Sequence, residues 1–259
     1  MLMPAAASAQ ASEPWQFGAS IYGWFPSLKG TTTFPPPPGG GSGGSSSDVT
    51  VDAADIIDAL KFVFMGSFEA RKGRWGGFSD LIYMDLGQTK SQTRDFLLGN
   101  QQVPADVNGS VTYDMKSYVW TLAGEYRAVA EPSLEVDTFL GARMIDVTQT
   151  VNYSLSGNVG PIALPDRSGN RKVSLNNWDG IVGVKGRYSF GADRSWFVPY
   201  YADIGAGQSD LTYQLMTGVG YSFKWGEMVA AWRYLKYDLG GAIDSLGFSG
   251  PAIAFNFRW

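Results

Sequence analysis

The chain has 259 residues, of which 44% are hydrophobic, 14% aromatic and only 17% charged. A chain of this length suits one large all-β domain. The absence of Cys excludes disulfides and Cys-based zinc or redox chemistry, and the absence of His removes the commonest catalytic base. The net charge of −4 does not favour a nucleic-acid partner.

The first residues carry a processing pattern. Ala9-Gln10-Ala11 is the small-x-small arrangement that precedes a signal-peptide cleavage site, so residues 1–11 are predicted to be a signal-peptide remnant. The basic region and most of the apolar core of such a peptide are missing, and we therefore expect the true start to lie upstream of Met1. The alternative is a disordered Ala-rich terminus.

One pattern recurs along the rest of the chain: segments of alternating apolar and polar residues, joined alternately by long polar loops and very short turns. No segment approaches the roughly 18 consecutive apolar residues of a membrane helix. The predicted strands begin with 15–28, 61–71, 75–87 and 112–127, continue after 134, at 178–190 and in three segments between 196 and 234, and end with the terminal strand.

This pattern predicts an antiparallel up-and-down transmembrane β-barrel of ten strands, with eight or twelve as alternatives if strand 3 or 9 merges or splits. A single barrel domain would span 12–259, with a Pro/Gly/Ser-rich external loop at 30–50 and further polar loops at 88–109 and 152–175. Strand 3 has the least clear register, and we direct Asp80 inward because a carboxylate in lipid is costly.

Aromatic residues gather at the strand ends next to the short turns, where an amphipathic ring suits the headgroup layer. They are Trp15, Trp75, Tyr126, Tyr188, Trp196, Trp225 and Trp259. A soluble lipocalin-like barrel, the alternative, would bury its apolar face inside and would not need such rings.

Three segments resemble small bacterial outer-membrane β-barrel proteins of poorly characterised function: FEARKGRWGGFSDLIYMDLG at 68–87, GARMIDV at 141–147 and the terminal FNFRW. The last strand, ending on Trp259, resembles the signal read by the barrel-assembly machinery. The resemblance implies an outer-membrane location, export by a cleaved signal peptide, and outer-membrane lipid and lipopolysaccharide as surroundings. It implies no substrate and no oligomeric state.

The inward positions carry seven acids and seven bases. They are Glu69, Asp80, Glu125, Glu135, Asp137, Asp179 and Asp203, and Arg71, Arg127, Arg143, Lys185, Arg187, Arg233 and Arg258. Buried ions are tolerated when they pair and hydrogen-bond, so one interpretation is an ion-pair network that fills the interior. The other is the polar lining of a narrow pore or a ligand site.

A segment at the barrel mouth has helix-like spacing. It is a possible plug, formed by Asp52, Asp55, Ile56, Ile57 and Leu60, or else an external helix on the rim or an extension of strand 2. Its acids do not have the spacing of a calcium loop, and the Gly-rich run before it lacks the Lys-Ser/Thr ending of a phosphate loop.

These observations give two function hypotheses: a narrow pore or facilitator for small polar solutes, or a closed structural or surface-interaction barrel. A ten-stranded barrel is wider than one that side chains just fill and narrower than an open porin. We expect no enzymatic activity, no cofactor and no metal, because no spacing singles out a catalytic or ligating group.

Overall fold

The computed structural model describes residues 13–34, 45–98, 103–159, 162–240 and 243–259. Residues 1–11, predicted to be a signal-peptide remnant, therefore lie outside the described residues. Within them, no helix has the length and apolarity needed to cross a bilayer.

A single antiparallel sheet of ten strands closes on itself. The first strand, β1 (Trp15–Trp24), hydrogen-bonds to β4 (Leu60–Lys72) on one side and to the last strand, β12 (Ile243–Arg258), on the other. The barrel therefore has no open seam at its waist. The barrel strands are β1 (Trp15–Trp24), β4 (Leu60–Lys72), β5 (Trp75–Leu98), β6 (Val103–Ala130), β7 (Leu134–Val159), β8 (Ile162–Phe190), β9 (Trp196–Gly207), β10 (Leu211–Ser222), β11 (Glu227–Asp238) and β12 (Ile243–Arg258). The predicted ten-stranded up-and-down barrel is confirmed.

Two further strands stand beyond the barrel wall. After a break at Phe25 and Pro26, the chain of β1 continues as β2 (Ser27–Phe34), which pairs with the first half of β12. The next strand, β3 (Ser45–Val51), pairs with β2 and leads through the short helix α1 (Ala53–Asp58) into β4. The loop predicted at 30–50 is thus wrong at both ends, because its flanks form a hairpin; residues 35–44 lie outside the described part.

The four strands from β5 to β8 are much longer than a bilayer requires. Transmembrane strands need about 9–11 residues, whereas these have 24, 28, 26 and 29. Pairing runs without a register shift from Trp75↔Tyr126 to Leu98↔Val103, and with one shift between Leu155 and Gly157 from Leu134↔Tyr188 to Val159↔Ile162. The polar loops predicted at 88–109 and 152–175 are therefore wrong for the described residues: Gly, Asn and Ser there lie in paired strands that form an extension of the barrel wall. Residues 99–102 and 160–161 lie outside the described part.

The two ends of the barrel differ. Four short turns lie at one end, here called the short-turn end, as the sequence predicted, and the extension of β5–β8 and the β2–β3 hairpin lie at the other, the long-strand end. In the β4–β5 turn, Gly73 has φ 61°, which a residue without Cβ adopts at no steric cost. In the β8–β9 turn, the Ser195 N–H and O–H donate to the carboxylate of Asp193 and lower its pKa.

An apolar belt covers the outside of the barrel. Its members include Leu140 (71% exposed), Ile21, Phe68, Leu122, Val182, Ile204, Leu215, Trp232 and Ile253. Aromatic rings border it at both ends, with Trp75 against Tyr126 at the short-turn end and Tyr83 against Tyr118 at the other. The eight residue steps from Tyr118 to Tyr126 correspond to about 21 Å along the axis, at about 3.4 Å per residue and a tilt of about 40°.

Above this belt the same exterior face turns polar. On β7, Leu140 and Met144 are followed at outward positions by Asp146, Thr148, Thr150, Asn152 and Ser154. Cross-strand bonds join Ser110 Oγ to Ser154 Oγ at 2.8 Å and Asn176 Nδ2 to Asp146 Oδ2 at 2.8 Å. The exterior therefore changes from apolar to polar along one strand.

Candidate functional site: the barrel lumen

The short-turn half of the lumen holds an ion-pair network centred on Arg71. Its guanidinium Nη2 binds Asp137 Oδ2 at 2.7 Å, Glu69 Oε1 at 3.2 Å and the carboxylate of Glu125. On the other side, Lys185 Nζ binds Glu69 Oε2 at 2.6 Å and Glu125 Oε2 at 2.7 Å. Alternation on β4, β6, β7 and β8 directs all five side chains inward, so the network ties four strands together.

A second group of ion pairs lies nearer the short turns. Arg187 donates from Nε and Nη2 to Glu135 at 3.2 and 3.0 Å, and from Nη1 to Glu227 at 2.6 Å. Arg127 donates from Nε to Asp137 Oδ1 at 2.8 Å. Glu227, the first residue of β11, is buried and was not among the acids predicted to face inward. Extending the alternation of β11 by one pair would have found it.

Two charged clusters lie deeper in the lumen. Arg143 and Asp203 are both fully buried, with Arg143 Nη1 bonded to Asp203 Oδ1 at 3.0 Å and Nε to Thr121 Oγ1 at 3.3 Å. Beside them, Arg233 Nη2 donates to Asp80 at 3.0 Å and Nη1 to the Tyr22 hydroxyl at 3.0 Å. We call these two clusters the deeper charged layer.

Asp179 is placed differently from the other acids. Its side chain is buried and lies opposite Arg143 in the β7–β8 register. Its Oδ1 accepts the backbone N–H of Ser209 at 2.8 Å, and no ion pair of Asp179 is found among the described residues. It therefore anchors the β9–β10 connection rather than joining the network.

Three acids at the centre of the network lie as close together as the ligands of a metal ion. One carboxylate oxygen each of Glu69, Glu125 and Asp137 lies within 4.8 Å of the others. The space among them is crossed by Arg71, with Lys185 beside it. Because Arg71 Nη2 contacts all three carboxylates, it already occupies the position that a metal ion among them would take.

Above the deeper charged layer, the long-strand half of the lumen is filled by apolar side chains, here called the apolar seal. It consists of Trp24, Met65, Ile82, Met84, Leu86, Met115, Val119, Ile145, Val147, Leu235, Tyr237, Phe248 and Ala252, all buried. They come from β1, β4–β7, β11 and β12, on opposite sides of the barrel. Ile145, Leu235 and Tyr237 have no exposed surface, so water does not reach these three side chains.

The predicted plug segment lies on top of the seal. Asp52 is the N-cap residue of α1, although its side chain makes no cap hydrogen bond, and Asp55 is in the first turn. Ile56 and Leu60 pack against the seal, whereas Ile57 is 49% exposed. Ile56 and Leu60 thus extend the seal at the long-strand end, while the acids of the segment are exposed.

Below the deeper charged layer the lumen is hollow. A cavity of about 660 Å³ extends from Asp80 and Arg233 down to Gln16, Arg258 and Trp259 at the short-turn end. Charged side chains from β4, β6, β7 and β8 line one side of it. On β1, β11 and β12, small side chains lie between the charged Glu227, Arg233 and Arg258; they are Gly18, Ser20, Val229, Ala231, Ala254 and Ala252, which also borders the seal. We call this cavity the cup.

All fourteen charged residues singled out from the sequence lie on the luminal face, ten of them along the cup wall. Glu125 lies just behind this wall, whereas Arg143, Asp179 and Asp203 lie deeper. Their role in passage or binding stays a prediction. The uncharged residues Tyr22, Gln214 and Tyr201 also bond to the luminal arginines. Alternation places them inward, but nothing else in the sequence marks them as partners of a charge. The arrangement can hold a small molecule in the cup and can pair charges.

No protein-family model and no curated protein sequence matches this chain. Among solved structures, the attachment invasion locus protein Ail of Yersinia pestis has a TM-score of 0.32 at 9% identity, covering 95% of this chain and 99% of that one. The translocator domain of autotransporter NalP from Neisseria meningitidis has a TM-score of 0.36 at 11% identity, covering 97% and 90%. The toluene transporter TodX of P. putida has a TM-score of 0.28 at 8% identity, covering 96% and 90%. Likeness at this level says nothing about ligands or partners of this chain.

Proposed function

We propose that this chain is an integral outer-membrane protein whose barrel is closed to through-passage. The exterior belt supports the membrane location, because a closed barrel leaves no strand edge unpaired at the waist and turns its apolar residues to lipid. The short-turn end would face the periplasm and the long-strand end the outside, since bacterial barrels have short periplasmic turns and longer external segments.

The observation that carries the closed state is the apolar seal. It fills the barrel above the charged layer, and α1 adds Ile56 and Leu60 to it. Exposing so many apolar side chains to a water channel would cost about 25 cal/mol for each Å². The closed barrel would serve to hold the β5–β8 extension and the β2–β3 hairpin above the membrane, where they present a polar surface to the outside.

The first test is electrical. We expect the refolded protein to give no discrete conductance steps in a planar lipid bilayer, because ions cannot cross the seal. Refolding is verified beforehand by the heat-dependent migration of the barrel in a gel. Discrete steps in the unaltered protein would contradict the closed barrel and would establish a pore.

A gated path is the second candidate function, because the cup already hollows the short-turn half of the lumen. Two variants examine it: one lacking residues 52–60, and Ile145→Ala combined with Leu235→Ala, which empties the seal where both side chains have no exposed surface. Steps in the deletion variant alone would make the α1 segment a plug. Silence in both variants would favour the permanently closed barrel.

Cysteine labelling tests the same closure from each side, and the absence of native Cys makes single-Cys variants unambiguous. In intact cells, a methanethiosulfonate carried on a polymer too large for the open porins of the outer membrane should modify Ser174→Cys, on the exposed outer face of β8, but not Ala254→Cys in the cup. After the outer membrane is permeabilised, Ala254→Cys should react together with the turn control Ala192→Cys. Labelling of Ala254→Cys in intact cells at the rate of Ser174→Cys would contradict the closure.

A further inference from the structure

We infer that the cup is a binding site for a small zwitterionic, amphipathic molecule that enters from the short-turn end. The inference rests on the proposed function for one point, that this end faces the periplasm. It goes beyond that function because a barrel that only displays external strands needs no internal site. Cavities of about 300–1,000 Å³ are typical of small-molecule sites, and the cup measures about 660 Å³.

The charge balance of the cup selects against an ion of one sign. The lining contains five acids and six bases, and Glu125, bonded to Arg71 and Lys185 just behind the wall, makes the balance six against six. The members are Glu69, Asp80, Glu125, Glu135, Asp137 and Glu227, and Arg71, Arg127, Lys185, Arg187, Arg233 and Arg258. A simple cation or anion would bring an uncompensated charge into a neutral, partly buried network and would lose hydration without a partner.

Two charged side chains at the short-turn end of the cup are partly exposed and can contact a ligand. Glu69 and Arg258 both pair in register with Gly18 of β1, one from each neighbouring strand. The Glu69 side chain is 35% exposed, although it contacts Lys185 and Arg71, and the Arg258 side chain is 54% exposed, with Glu227 at 3.7 Å. The acid and the base therefore lie two strand spacings apart, about 10 Å between backbones. Gly18, which lies between them, adds no side chain to the cavity.

The wall beside this pair supplies the apolar complement. Ala252 and Ala254 on β12 and Val229 and Ala231 on β11 line the cup with small apolar side chains. A ligand with a cationic group on Glu69, an anionic group on Arg258 and an apolar body against these residues would satisfy each surface. Charge-assisted hydrogen bonds at both ends would then fix its orientation.

The test uses a water-soluble benzyl sulfobetaine, in which a benzyl dimethylammonium group carries a propanesulfonate. Calorimetry of the protein in lipid nanodiscs, corrected with empty nanodiscs, should show saturable binding. Benzyltrimethylammonium and benzenesulfonate, which each carry one of its two charges, should bind at least about tenfold more weakly. Equal binding of either ion, or no saturable binding of the sulfobetaine, would overturn the inference.

Matched variants locate the binding. Ala231→Phe fills the cup and should abolish binding, whereas Ala230→Phe, the neighbouring residue on the lipid-facing side of β11, should leave it unchanged. Arg258→Gln and Glu69→Gln should each weaken binding by about tenfold, and Lys72→Gln, an exposed base outside the cup, should not. Binding that persists in correctly folded Ala231→Phe would overturn the inference.

If Ala231→Phe fails to fold, protection provides an independent measurement. The sulfobetaine should slow modification of Ala254→Cys in permeabilised cells while leaving Ala192→Cys unaffected. Equal rates at Ala254→Cys with and without the sulfobetaine would overturn the inference. The closed barrel fails separately, by conductance, so a barrel that conducts and a cup that does not bind are distinguishable results.

Discussion

Asp203→Leu is expected to lower the free energy of unfolding by about 3–5 kcal/mol, the usual cost of leaving one partner of a buried ion pair without the other. Both side chains of the Arg143–Asp203 pair have no exposed surface, so water cannot replace the lost carboxylate. Thr121 and Tyr201 also contact the guanidinium but carry no charge to compensate it. Urea unfolding of the reconstituted protein measures the difference.

A double variant distinguishes the contribution of the ion pair to stability from the cost of leaving one charge buried without a partner. Arg143→Met combined with Asp203→Leu should recover most of the loss, because a well-packed apolar pair often replaces a buried ion pair at little cost. Lys61→Met is the exposed control: its pair with Asp114 is 53% and 34% exposed at the two side chains, and its removal should cost about 0–1 kcal/mol. A loss of similar size in Asp203→Leu and Lys61→Met would show that the buried pair has no special weight.

The barrel itself could be predicted from the sequence because lipid and lumen impose opposite demands on alternate residues. The strand β7 shows this clearly: Leu140 and Ala142 face outward while Asp137 and Arg143 face inward. The strand count followed from the short turns, such as the one at Gly73, since each turn fixes a pair of antiparallel neighbours.

The extension of β5–β8 could not be predicted in the same way. Beyond the membrane, both faces of a strand can carry Ser, Thr and Asn, so the alternation that marks a transmembrane strand disappears. Ser110 and Ser154, or Asn152 and Asn170, lie opposite each other only because the transmembrane register continues upward. Composition typical of loops therefore concealed paired strands.

The two halves of the lumen also differed in predictability. Inward charges such as Arg71 and Glu125 stand out on strands that otherwise carry apolar residues. The seal does not, because Ile145 or Leu235 at an inward position looks the same in sequence as an apolar residue at the surface of any core. The short-turn half of the lumen is hollow and the long-strand half is filled. This difference depends on the sizes of side chains that seven strands bring to one level, and no single segment of the sequence contains them all.

Leu140→Arg should impair insertion into the bilayer by about 2–4 kcal/mol, the cost of a lipid-facing Arg near the midplane of a membrane barrel. Leu140 is 71% exposed on the outer face and pairs with Gly124 and Val182, between the two aromatic borders of the belt. A guanidinium there cannot reach water without distorting the bilayer, and the belt offers it no acidic partner among the described residues. Reversible folding into liposomes of defined thickness, followed by urea titration, measures this cost.

Thr150→Arg is the matched control for this position. It lies on the same face of the same strand, ten residues toward the long-strand end, which is about 26 Å along the axis at about 3.4 Å per residue and a tilt of about 40°. Its neighbours on that face, Thr148 and Asn152, are polar, so an added guanidinium would be hydrated. Equal folding free energies for Leu140→Arg, Thr150→Arg and the unaltered chain would mean that the apolar belt does not face lipid. The membrane placement of the barrel would then fail while its closed strand order remained.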